Sequence, residues 1–227
     1  MANLTVLEIA KKLISSGAVD YLINEEDYYF QKLEDLFEEF KRFDTSGIKT
    51  ELVNDVLGVY LKNGSFSYEQ FLKYHEKKPQ IQAFILLIGK IVSYCDDKAY
   101  NKKIWNQYNP HRVLAKAMVT MPRWVIGFLE YKLGSSNIAD IEPSVIHAIQ
   151  FIENPEYNLS MLSDKHRRFV SHYILQQDYD SSTFENSVFH YFSPLNLTVT
   201  NRKNIGHLIS RILYDQEIKK EWTPSVQ

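Results

Sequence analysis

The chain is poor in the residues that staple small folds or grip phosphates. It has one cysteine, Cys95, among 227 residues. An internal disulfide is impossible, and so is a zinc site built on cysteines. A single thiol suits a reducing compartment, so a cytoplasmic location is expected. Glycine and proline are also scarce, at 8 and 7. No glycine-rich phosphate loop and no Gly-x-Ser-x-Gly nucleophile turn occur, so an NTPase or hydrolase of a common type is not expected. Long hydrophobic runs are missing too. The most apolar stretch, Ile81 to Tyr94, contains Lys90 and falls short of the ~20 residues a bilayer span requires. Glu8, Lys11 and Lys12 interrupt the first apolar stretch, which does not read as a signal peptide. No membrane association is expected.

Aromatic residues are plentiful: Tyr 15, Phe 13 and Trp 3, within an apolar fraction of 44%. That is enough to build a core and too much for a disordered chain. Apolar positions mostly recur at helical spacing. Val6, Ile9, Ala10 and Leu13 form one stripe, closed by Gly17. Phe30, Leu33, Phe37 and Phe40 form a second; Leu52, Val56, Val59 and Tyr60 form a third. Ser67 and Gln70 read as a capping box. Ile81 to Tyr94, apolar nearly all round, reads as the buried central helix of the first half. Pro110, Pro122 and Pro143 mark helix starts, predicting helices near 111–120, 123–133 and 143–153. Ser163 caps a helix to about Gln177 with Phe169, Val170, Tyr173 and Ile174 inward. Helices over about 183–192 and 203–214 complete the series, with room for a further turn or two at Gln216 to Trp222. Residues 195–200 alternate apolar and polar with a period of two, a short strand or an extended connector. The fold class is all-α: a compact multi-helix globule with at most one short extended segment near 195–200. Asp96-Asp97 marks a soft boundary between an acidic half, 1–95, and a second half, 98–227, with a single domain as the alternative.

Charge is balanced overall, 26 basic against 28 acidic residues, but uneven along the chain. Residues 1–100 hold 12 basic and 16 acidic side chains; residues 101–227 hold 14 and 12. Between Lys98 and Lys132 seven basic residues face one acid, Glu130, with Tyr100, Trp105, Tyr108, Trp124 and Tyr131 interleaved. Such a stretch can neutralise phosphates and stack on bases. The candidate nucleic-acid contacts are Lys102, Lys103, Trp105, Arg112, Lys116 and Arg123. The competing reading is a solvated lysine face beside buried tryptophans.

Two Arg-x4-His segments follow: Arg167-Arg168-Phe169-Val170-Ser171-His172 and Arg202-Lys203-Asn204-Ile205-Gly206-His207. The spacing resembles the motif of HEPN-type helical ribonucleases. The resemblance covers six residues at each site. It implies an arginine that stabilises phosphate charge and a histidine for acid–base cleavage of RNA without a metal. Arg202 with His207 is the better match; Arg167 with His172 is the second candidate. Ordinary surface arginines and satisfied histidines would give the same pattern.

Metal chemistry finds little purchase. No His-x3-His pair and no His-Glu-x-x-His motif occur. An EF-hand starting at Asp44 fails, since Lys49 stands where the loop needs glycine and Asp55 where it needs the bidentate glutamate. Glu130-Tyr131-Lys132 fits the Glu-x-Lys half of a nuclease signature, but the region reads as helix and the same triplet recurs at Glu39, Glu76 and Glu217. No metal and no cofactor are expected. The leading expectation is a non-catalytic helical module that binds a macromolecule, a subunit of a bacterial or phage nucleic-acid-handling or defence complex. Nucleic acid would approach through 98–132 and a protein partner through the acidic first half. The alternatives are a HEPN-like ribonuclease and a pure protein-interaction adaptor. The sequence leaves the oligomeric state open.

Overall fold

The computed structural model describes residues 5–56, 76, 78–95, 121–135 and 140–224. It is all-α: among these residues there are helices, 3-10 turns and connectors, and no strand. The helices are α1 (Val6–Ser15), α2 (Asp20–Ile23), α3 (Gln31–Arg42), α4 (Lys49–Glu51), α5 (Pro79–Cys95), α6 (Pro122–Leu133), α7 (Pro143–Glu153), α8 (Asp164–Tyr173), α9 (Phe184–Phe192), α10 (Ile205–Leu213) and α11 (Gln216–Trp222). Short 3-10 turns lie at Ser46–Ile48, Ser193–Leu195 and Arg202–Asn204. No helix among the described residues is long and apolar enough to cross a membrane. The capping box at Ser67 and the helix expected at 111–120 lie outside the described residues.

Local chemistry accounts for the helix ends. Thr5 accepts from the Glu8 N–H, and Glu8 accepts from the Thr5 N–H, a complete capping box on α1. Gly17, at φ 77°, follows that helix as the sequence indicates. Pro122 opens α6, and left-handed Gly134 closes it. Asp44 accepts from the Ser46 N–H at 2.9 Å and so starts a 3-10 turn, which explains the helix–loop–helix look of the rejected calcium loop.

The chain forms two compact units. The first joins residues 1–31 to 147–227; the second is residues 32–146. The units therefore divide near 31 and 146, inside or beside α3 and α7. The sequence boundary at 96–97 lies outside the described residues.

In the second unit, α5 packs against α6. Its Ile81, Phe84, Ile85, Ile88, Ile91 and Val92 are all inaccessible, as expected of a helix apolar on every side. Phe40 of α3 stacks on Phe84 at 5.8 Å and meets Phe128 of α6 edge-on at 6.0 Å. Gly127 of α6 permits close approach, because a Cβ there would lie 2.9 Å from Val145 Cγ2.

In the first unit, α11 packs against α1 and α8. Trp222 ends α11 fully buried and donates its indole N–H to the Leu213 carbonyl at 2.8 Å. Phe184, Val188, Phe192, Leu208, Ile212 and Met161 fill the same core. The inner face of α8 differs from the sequence reading. Arg167, Val170, Ser171 and Ile174 are buried, while Tyr173 is exposed. The inward stripe has the right period but begins with an arginine. A hydrophobicity pattern assigns arginine to the solvent face, so it turns the helix towards Tyr173.

Candidate functional site

The N-terminal arm and the residues before α10 are sewn together by asparagines. Asn204, fully buried, accepts from the Tyr29 N–H at 2.9 Å and donates to the Asp27 carbonyl at 3.0 Å. Asn201 donates to the Glu26 carbonyl at 3.0 Å, and the Thr200 N–H to the Ile23 carbonyl at 2.8 Å. This clamp delivers Tyr29 and Phe30 onto His207. The imidazole stacks on Tyr29 at 4.8 Å and meets Phe30 edge-on at 4.7 Å. Its Nδ1 is hydrogen-bonded to Ser160 Oγ at 2.7 Å, and the residue is 7% exposed.

Arg202 stands apart from that cage. Its side chain is 75% exposed, and its Nε pairs with Glu156 at 3.2 Å. It lines an open cleft that His207 does not reach. The second Arg-x4-His segment divides the other way. Arg167 is fully buried, and His172 is exposed. Neither segment presents its arginine and histidine together to solvent.

Arg167 instead anchors a polar cluster. Its Nε donates to the Met161 carbonyl at 2.7 Å, its guanidinium lies 5.1 Å from the Phe184 ring, and its Nη1 pairs with Glu185. The Arg167–Glu185 contact is one of charge and not of aligned hydrogen bonds; Nη1, Nη2, Glu185 Oε1 and Ser171 Oγ are buried without a hydrogen-bond partner. Beside it, His147 Nδ1 meets the Leu162 carbonyl at 3.1 Å, and Nε2 lies 3.4 Å from the Tyr179 hydroxyl. Burial, aided by the Arg167 charge, pushes His147 down to about 4. Burial and a hydrogen bond with Asp164 push Tyr179 upward. Burial works against the Asp164 carboxylate, yet bonds from Arg168 and Tyr179 outweigh it and hold Asp164 below its usual range. The cluster is a neutral histidine, a neutral tyrosine and the Arg167–Glu185 ion pair locked into the packing, with Arg168–Asp164 an ion pair at its solvent edge.

Of the basic aromatic stretch, Lys102, Lys103, Trp105, Arg112 and Lys116 lie outside the described residues. Arg123 is exposed on the first turn of α6. Lys132 is committed inside the second unit: Nζ donates to the Lys41 carbonyl at 2.6 Å, at the carboxyl end of α3, and lies 5.7 Å from the Phe40 ring. Burial lowers its pKa. Glu130 is buried. Among the described residues, no three His, Cys, Asp or Glu side chains converge as a metal site would require.

The open cleft beside Arg202 is the feature that residue-by-residue motif search missed. Its volume is ≈ 510 Å³, within the range of ligand-binding clefts. Phe189, Phe192, Ile205 and Ile209 form an apolar floor, the 196–199 connector forms one wall, and Glu156, Tyr157 and Arg202 stand on the rim. Tyr157 is 66% exposed. The connector gave a signal after all, since Leu195, Leu197 and Val199 are half-buried while Asn196, Thr198 and Thr200 are exposed. Leu195 ends a 3-10 turn, Asn196 is left-handed, and 197–199 form a connector without a strand partner among the described residues.

No protein-family model, no curated protein and no solved structure matches this chain.

Proposed function

We propose that this protein is a non-catalytic helical module that binds another protein through the Arg202 cleft of its first unit. The carrying observation is a cleft whose apolar floor is half-buried at Phe189 and Ile205, over the buried Phe192 and Ile209, beneath a rim of Glu156, Tyr157 and Arg202. Floors of this kind gain from burial, at about 25 cal/mol per Å² of apolar surface removed from water, and a tyrosine and an arginine at the rim suit a protein interface. The non-catalytic reading draws support from His207, whose imidazole is enclosed by Tyr29, Phe30 and Ser160. An acid–base residue must reach its substrate, and this ring is spent on holding the arm.

Protein is favoured over nucleic acid because the cleft pairs its one acid with its one base, Glu156 with Arg202. This reading puts the partner surface in the first unit, where the sequence alone suggested the acidic first half. Short random peptides displayed on phage and panned against the full chain provide the probe. A selected peptide is expected to bind the unaltered protein and to lose at least about tenfold in affinity for Thr198→Arg, which fills the cleft from an exposed position. A fluorescent oligonucleotide measured at low and high salt tests the other class. Steeply salt-dependent binding abolished by Lys102→Glu/Lys103→Glu, with no peptide sensitive to Thr198→Arg, would overturn the proposal.

A further inference from the structure

The Arg202 cleft has a neighbour. A second cleft of ≈ 480 Å³ is lined by Leu7, Lys11, Ile14 and Ser15 of α1 and by Pro194 and Leu195. Asn196 lines both clefts. It sits in a left-handed turn, at φ 47°, and is exposed. Asparagine tolerates that conformation better than other side-chain-bearing residues do.

We infer that the two clefts form one bipartite groove for an extended, uncharged protein segment, which seats one apolar side chain in each cleft and lays its main chain over Asn196. The inference rests on the reading of the Arg202 cleft as a docking site and adds the chemistry of the occupant.

Three observations choose that occupant. Each cleft contains one acid and one base, Glu156 with Arg202 and Glu8 with Lys11, so the formal charge cancels in both. Such walls give a polyanion no net attraction, and the gain must come from apolar anchors. The clefts share a lining residue, so a single continuous segment can engage both, and joining two anchors multiplies weak affinities. Finally, the protein already binds its own chain in this way. Asn204 takes the N–H of Tyr29 and the carbonyl of Asp27 with one carboxamide. A carboxamide carries an acceptor and two donors and so matches the groups of a passing main chain. Asn196 holds the same group at the surface, between two apolar floors.

The test uses a display-selected peptide and three single variants of the full chain. Thr198→Arg fills the first cleft, Ser15→Arg fills the second, and Asn196→Gly removes the carboxamide while keeping a residue at ease with positive φ. Thermal melts establish that each variant folds. Each is expected to weaken binding by at least about tenfold, with little change between low and high salt. Alanine at either of two apolar peptide residues should do the same. A peptide lost on Thr198→Arg but indifferent to Ser15→Arg and Asn196→Gly would overturn the bipartite groove and leave the single cleft standing. Indifference to all three variants, or no enrichment of any peptide, would overturn both readings.

Discussion

At the scale of single residues, the least negotiable side chain is Arg167. It is fully buried against Phe184, Glu185 and the Met161 carbonyl. Removing one partner of a buried pair strands the other charge, at a cost of about 3–5 kcal/mol, whereas replacing both can be neutral. Arg167→Leu is therefore expected to destabilise the protein by that amount in denaturant titration. Arg167→Met/Glu185→Leu should recover most of the loss. His147 supplies a pH dependence of known sign. Its folded pKa is about 4 against an ordinary 6.5. The unfolded chain takes up the proton first, so stability is whole above pH ~6.5 and falls as pH drops towards 4, by on the order of 3 kcal/mol. Asp164, held below its usual range, extends the loss to lower pH. Urea titrations across that window should show the slope, and His147→Leu should flatten it between pH ~6.5 and 4. An unchanged slope would remove His147 from the account.

These residues also mark the limit of sequence reading. The Arg-x4-His spacing singled out Arg167 and His207, and both are buried and hydrogen-bonded. Their roles were not legible, because six residues of local pattern do not reveal which side faces inward. His207 is claimed by Tyr29 and Phe30, more than 170 positions earlier in the chain. His147 and Asn204 carried no pattern at all; a buried histidine and a buried asparagine are recognised only by the partners that satisfy them.

At the scale of elements, α10 runs hard against the 155–158 backbone. A Cβ on Gly206 would fall 1.9 Å from the Asn158 carbonyl oxygen and 2.9 Å from that of Pro155. Both are main-chain atoms that cannot rotate away. Gly206→Ala is expected to cost about 3 kcal/mol or more in denaturant titration. Gly47→Ala, with nothing within 4 Å of its Cβ, should stay within about 0.5 kcal/mol. Helices were the legible part of the fold. Stripes at 6–13 and 30–40, the all-apolar run at 81–94 and the prolines at 122 and 143 each correspond to a helix within a few residues. The exceptions have physical causes. The helix after Ser163 stops at Tyr173 and not near Gln177, and Gln176 takes φ 54°. The arginine on its inner face turned the predicted stripe. The alternation at 195–200 marked exposure correctly, yet no second strand receives it among the described residues.

At the scale of the whole molecule, the first unit is discontinuous in sequence. Residues 1–31 and 147–227 share a core in which α1 lies against α11 and the arm at 23–29 is bonded to residues 200–204. A fragment of residues 147–227 alone is therefore expected to lack cooperative thermal unfolding, and to regain it when a peptide of residues 1–31 is supplied. Cooperative unfolding of the fragment by itself would contradict this. Charge along the sequence indicated two halves, but charge reports the solvent face, while the units are set by which apolar stripes meet.

On the proposed reading, the partner binds at the connector between α9 and α10. Hydrogen exchange of the full chain with and without a display-selected peptide tests it most directly. The account predicts slowed exchange at 196–199 and across the start of α10, with residues 98–132 unchanged. Protection confined to 98–132, with the connector exchanging as in the free protein, would contradict it.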